Sequence, residues 1–175
     1  MQVITSESVF RGHPDKICDQ ISDAILDAIL EQDINSRVAV ETAIKDDLVF
    51  VFGEVTTTAE VSYSAIAKQT LREIGYKDEF SVIEKISKQS SDIALGVDSS
   101  GGKEQGAGDQ GMMFGYACNE TQQLMPLPIM LAHQIAREVE KLRKEELSDI
   151  LKPDGKCQVS VGYENGKPTK ILTIV

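Results

Sequence analysis

Gly12-His13-Pro14-Asp15-Lys16 sets an imidazole, a carboxylate and an ammonium within four residues, where the polar segment Thr5-Ser6-Glu7-Ser8 gives way to a helical pattern. A helix N-terminus offers unpaired N–H groups and a positive dipole end, which suit a phosphate. There His13 can donate to a leaving oxygen, Asp15 can ligate magnesium and Lys16 can offset negative charge. A plainer reading fits the same residues: Asp15 stabilises the first helical turn and His13 is an exposed loop residue.

Gly106-Ala107-Gly108-Asp109-Gln110-Gly111-Met112-Met113-Phe114-Gly115-Tyr116 places four glycines around an acid and an amide. Glycines free the backbone for close approach to a ligand, and the Asp and Gln would give that approach direction. A tight structural turn has the same composition. Glu41 and Glu54 lie among apolar residues in strand-like runs, a costly place for a carboxylate unless it meets a cation or a donor. Both are ligand candidates, or solvated groups if the alternation turns them outward. Asp154-Gly155-Lys156 pairs an acid and a base around a glycine, and serves equally as an ordinary turn.

Several chemistries are excluded within these residues. The only histidines are His13 and His133, and His133 sits in a heavily charged helical run where a surface role is expected, so no nucleophilic triad is recognisable. G-x-x-x-x-G-K-[ST] is absent. Gly106 to Gly111 satisfies G-x-G-x-x-G but follows a loop where a dinucleotide fingerprint requires a strand. The formal charge of -10 opposes sequence-independent nucleic-acid binding. An acidic protein that holds a polyanion needs a divalent metal as a bridge. Cys18, Cys118 and Cys157 are widely spaced, without a C-x-x-C pair, and read as reduced, part-buried thiols. No basic region with an apolar core opens the chain and no apolar run reaches membrane-spanning length, which predicts a cytoplasmic protein with no membrane partner.

With 175 residues, 41% hydrophobic and 26% charged, the chain can bury one substantial core or two small ones. The helical period of Ile17, Ile21, Ala24, Ile25, Ala28 and Ile29 predicts a helix over 16–32, with Pro14 in its first turn. Alternation predicts a strand over 37–45, with Ala39, Glu41 and Ala43 on one side, then a turn at Asp46-Asp47. A second strand follows, with Leu48, Phe50, Phe52 and Glu54 sharing a face. A helix over 62–74 stops at Gly75, and 81–86 is a short strand. The stretch 89–111 lacks periodicity and is longer than a passive connection, as mobile lids are. After Pro126 and Pro128 a charged helix is predicted over 133–146, and Asn165-Gly166 between alternating runs predicts a hairpin. The last strand ends at Val175 without a polar tail, which reads as part of a longer protein.

Taken together, Thr5-Ser6-Glu7-Ser8-Val9, Gly12-His13-Pro14-Asp15-Lys16, Glu54-Val55-Thr56-Thr57, Lys88-Gln89-Ser90, the Gly106 to Tyr116 loop and Asp154-Gly155-Lys156 resemble the S-adenosylmethionine synthetase (methionine adenosyltransferase) family, collinearly over essentially the whole chain. The resemblance implies an α+β fold of three similar domains with pseudo-threefold symmetry, here the first domain (1–98) and part of the second (99–175). It implies transfer of the adenosyl group of ATP to the sulfur of L-methionine, with hydrolysis of the displaced triphosphate to pyrophosphate and phosphate. It also implies homodimers or homotetramers with shared sites. By matching motif, His13 and Lys16 would serve the triphosphate and Asp154 and Lys156 would face ATP. Asp15 would bind Mg2+, Glu41 would hold K+, and Glu54, Gln89 and Asp109 would contact methionine. Gln89 to Gly106 would form the lid. Phe10-Arg11 stands where the family usually shows Ser-Glu, and Ser91 replaces a common proline. A non-catalytic truncated subunit and an unrelated metal-dependent phosphotransferase are the competing readings.

Overall fold

The computed structural model describes residues 1–89 and 112–175, which form mixed α+β structure in two compact units. One comprises Met1–Ile17, Ile74–Tyr76 and Gly115–Val175; the other comprises Cys18–Glu73 and Lys77–Phe114.

In the first unit, β1 (Gln2–Val9), β5 (Lys156–Glu164) and β6 (Lys167–Ile174) make an antiparallel sheet in the order β1-β5-β6. The polar N-terminal segment is therefore a strand. It pairs with β5 from Gln2↔Tyr163 to Val9↔Lys156, and Ile4, Ser6 and Ser8 are its more buried side. The hairpin turn falls at Asn165 and Gly166, whose φ angles of 51° and 73° match the positive values that Asn-Gly supplies. The helix α3 (Leu127–Glu145) starts six residues before the predicted position, because Pro126 is its N-cap and Pro128 sits in its first turn. A proline there costs no backbone hydrogen bond, so it opens the helix and does not merely precede it. The core of the unit is Ala132 and Ala136 of α3 against Cys157, Val159, Val161 and Tyr163 of β5, with Ile4, Phe10, Leu131 and Ile135 around them. Buried Cys157 donates its thiol proton to the Ala132 carbonyl at 3.1 Å, and burial pushes that thiol's pKa up. All three cysteines are free.

In the second unit, β2 (Arg37–Lys45), β3 (Leu48–Thr56) and β4 (Ser81–Ser87) form a sheet in the order β2-β3-β4. β2 and β3 are an antiparallel hairpin, and β3 reaches its parallel neighbour β4 through α2 (Tyr63–Ile74). A parallel neighbour requires such a crossover, because a tight turn cannot reverse the chain twice. The buried residues are Ile21, Ile25 and Ile29 of α1 (Pro14–Leu30), Val49, Val51 and Val55 of β3, and Ala67 and Leu71 of α2. Each is worth about 1.5–3 kcal/mol of burial for the larger side chains. A Ser22–Thr42 hydroxyl pair at 2.9 Å ties α1 to β2. Asp33, just past α1, accepts from the Thr58 backbone N–H at 2.9 Å, the Thr58 and Thr57 hydroxyls and the Asn35 N–H. The Thr58 backbone N–H is the largest of the influences that hold its carboxyl at about 2. The loop after β3 is thereby fixed at the exit of the strand that carries Glu54.

Candidate active site

Residues 10–16 of the first unit are laced to residues 153–156 although about 140 positions separate them in the chain. The Phe10 N–H donates to the Gly155 carbonyl at 2.8 Å, the Gly12 N–H to the Pro153 carbonyl at 3.0 Å, and the Tyr76 hydroxyl to the Gly12 carbonyl at 2.7 Å. Gly12 is buried, and a Cβ there would sit 2.4 Å from that of Pro153, so only glycine allows the two segments to close. The ring of Phe10 covers Gly155 in the same way, since a Cβ on Gly155 would lie 2.5 Å from it. This is a structural account of the unusual Phe10: it extends the core of the unit beneath the Asp154-Gly155-Lys156 turn.

The lacing brings together His13, Asp15 and Lys16 at the start of α1 with Asp154 and Lys156 at the start of β5. His13 precedes the helix, and its carbonyl accepts the Ile17 N–H at 2.9 Å. Its Nδ1 accepts from the Asp15 backbone N–H at 3.3 Å and lies 3.8 Å from the Asp15 carboxylate. An Nδ1 that accepts leaves the proton on Nε2, so the outer nitrogen is the donor. The Asp15 side chain is 87% exposed, whereas that of His13 is 24% exposed. Lys16 and Asp154 are exposed, and Lys156 lies 3.6 Å from Glu7, an exposed pair of small worth. Among the described residues no three His, Cys, Asp or Glu side chains cluster as a metal cage. An exposed carboxylate such as that of Asp15 could supply one hard oxygen ligand to a hydrated divalent cation.

In the second unit, the pairing registers place Glu41 and Glu54 on one face of the sheet. Ala43, Phe50 and Ile83 form one row, Glu41, Phe52 and Lys85 the next, and Ala39, Glu54 and Ser87 the third. Arg37 opposite Thr56 begins the fourth, where the Arg37 Nε donates to the Gln89 carbonyl oxygen at 2.8 Å. Glu41 is exposed on this face and Glu54 is partly covered, while the valines of β3 turn the other way. Phe50 and Phe52 meet edge to face, with centroids 6.5 Å apart, and remain 38% and 39% exposed. An aromatic sheet face rimmed by Glu41 and Glu54 can hold an apolar chain while presenting oxygens to an ammonium group or a cation. Asp109 and all of the predicted lid after Gln89 lie outside the described residues.

Two features of the first unit escaped the sequence. His133, expected at the surface, is exposed, yet its Nδ1 pairs with the buried Ser8 hydroxyl at 2.8 Å. Arg143, in a helix that reads as uniformly charged, is buried.

Residues 1–95 match the S-adenosylmethionine synthetase N-terminal domain, and residues 104–175 match the S-adenosylmethionine synthetase central domain. The chain is 53% identical over 188 aligned residues to the S-adenosylmethionine synthase of Prochlorococcus marinus (strain MIT 9211), an alignment that covers 99% of this chain and 46% of that protein. The chain thus spans about half the length of the curated relative it matches. Two domain matches in the family's own order, over the two segments that carry the laced motifs, establish that the chain belongs to the S-adenosylmethionine synthetase family.

Proposed function

We propose that the chain contributes to a methionine adenosyltransferase, in which the sulfur of L-methionine attacks C5′ of ATP and expels the triphosphate, later hydrolysed to pyrophosphate and phosphate. The observation that carries this reading is the pinning of Gly12–Lys16 to Pro153–Lys156, which gathers a donor, two carboxylates and two lysines where α1 and β5 begin. A displacement of this kind needs the leaving chain positioned and its charge offset more than it needs a base. His13 donates from Nε2 to the departing oxygens, while Lys16 and Lys156 lie along the chain and Asp154 orients the nucleotide. Asp15 holds Mg2+, which when bound neutralises phosphate charge that this acidic protein cannot.

Glu54 and Gln89, with Asp109, receive methionine; Glu41 holds K+; and Gln89 to Gly106 closes over the substrates. Residues 1–98 and 99–175 are the portions of two domains in a cytoplasmic protein. It works as a homodimer or homotetramer, with no nucleic acid or membrane as partner. The open face of Phe50, Phe52 and Ile83 favours self-association, because apolar side chains exposed in contiguous rows are stabilised by a partner surface.

The test is Lys156→Met in the complete protein. Loss of one charge-assisted contact to the nucleotide is expected to raise the KM for ATP by about 10–100-fold, with the KM for methionine little changed. Steady-state kinetics with each substrate varied decides it; equal effects on both substrates, or none on ATP, would remove Lys156 from the nucleotide site.

A further inference from the structure

We propose that His133 and Ser8, with Lys16 and Arg137, form an anion-linked proton site, in which a polyphosphate seated beside Lys16 draws one proton from solvent onto His133. The inference rests on the triphosphate reading and adds to it a residue and a regulation. The geometry begins with the bond between the Ser8 hydroxyl and His133 Nδ1, 2.8 Å long, which joins β1 to α3. Ser8 is only 8% exposed, so its hydroxyl needs this partner. A hydroxyl rotates to donate or to accept, so the bond survives whether Nδ1 is bare or protonated. His133 can therefore change charge without losing its tether.

The surroundings set the direction. Burial, then Arg137 one helical turn onward, then Lys16 from α1 lower the pKa of His133. On the strands that α3 packs against, β1 supplies the Ser8 hydroxyl, and β5 supplies the Cys157 thiol, already given to the Ala132 carbonyl. Both charges that act on the ring are positive, so without a ligand they favour its neutral form. A polyphosphate reverses their effect, since an anion near Lys16 and Arg137 offsets the repulsion and favours the imidazolium. The proton that arrives adds a cation to the flank that holds the leaving chain, and its loss at higher pH loosens that chain for release.

The probe is inorganic tripolyphosphate with Mg2+, added to the complete protein. Calorimetry in two buffers of unlike ionisation enthalpy should show net proton uptake, and affinity should fall several-fold between about pH 6 and about pH 8. In His133→Gln, which keeps a polar group for Ser8, the uptake attributable to this residue disappears and the pH dependence flattens while binding persists. A second measurement needs no folded variant. The ring signal of His133, followed by proton NMR of the complete protein, should titrate at higher pH once tripolyphosphate is bound. Binding with an unmoved His133 titration, or unchanged uptake in His133→Gln, overturns this inference and leaves the triphosphate reading standing. Failure of the unaltered protein to bind tripolyphosphate overturns both.

Discussion

His13→Ala in the complete protein is expected to slow S-adenosylmethionine formation by about 10²–10⁴-fold, while methionine binding changes far less. The size of the effect follows from where charge develops. In the proposed displacement, negative charge grows on the triphosphate as the C5′–O bond breaks, and a donor fixed beforehand contributes more there than in the ground state. The Nδ1 of His13 is occupied by the Asp15 N–H at 3.3 Å, which points the Nε2 proton outward. The same bond caps the helix, so Ala removes both a cap and a donor, and the two must be separated. His13→Asn does so, because asparagine caps a helix well but cannot place a donor where Nε2 stands. That variant should keep the stability of the unaltered protein yet lose the rate. Turnover rates measured beside methionine affinity decide the matter; a His13→Asn enzyme of near-normal rate would reduce His13 to a helix cap.

Arg143→Met is expected to destabilise the fold by about 2–3 kcal/mol. Arg143 is 7% exposed, and its guanidinium donates to both carboxylate oxygens of Glu140 at 2.8 Å and to the Ile74 carbonyl at 2.7 Å. Burial pushes the Glu140 carboxyl up, and the bond and charge of Arg143, helped by Lys144, outweigh it and hold the group below its ordinary value. Methionine fills similar space but leaves a carboxylate 16% exposed with Lys144 at 3.5 Å, and leaves the Ile74 carbonyl without its guanidinium donor. Part of the loss is the cost of that stranded charge and not the worth of the pair. Adding Glu140→Gln to Arg143→Met should therefore recover a portion of it. Urea unfolding of the two variants is the check. A single-variant loss within about 0.5 kcal/mol, the range of ordinary surface substitutions, would mean that Arg143 is not buried as described.

Local pattern carried much of the fold. The alternation of Arg37–Lys45 and Leu48–Thr56 set Glu41 beside Ala39 and Ala43, and Glu54 beside Phe50 and Phe52, and the registers join those two sets on one face. That step was legible because side-chain direction in a strand has a strict period of two. β1 was not, because Thr5-Ser6-Glu7-Ser8 carries no apolar period and becomes a strand only by pairing with β5, some 150 residues along the chain. The start of α3 was misplaced because Pro128 signals a break in a helix interior and a beginning in its first turn. The burial of Arg143 and the bond from Ser8 to His133 depend on partners 69 and 125 positions away, and no local composition marks them. In the candidate site, the chemistry proposed for His13, Asp15 and Lys16 comes from residue type. Their closure against Pro153 does not, since only the folded chain shows that Gly12 is where two backbones touch.

The central claim is tested most directly by the product inventory of the complete protein given ATP, L-methionine and Mg2+. Adenosyl transfer predicts S-adenosylmethionine, pyrophosphate and phosphate in equal amounts, with none formed when methionine is withheld. ATP turnover that proceeds without methionine and yields no S-adenosylmethionine would contradict it.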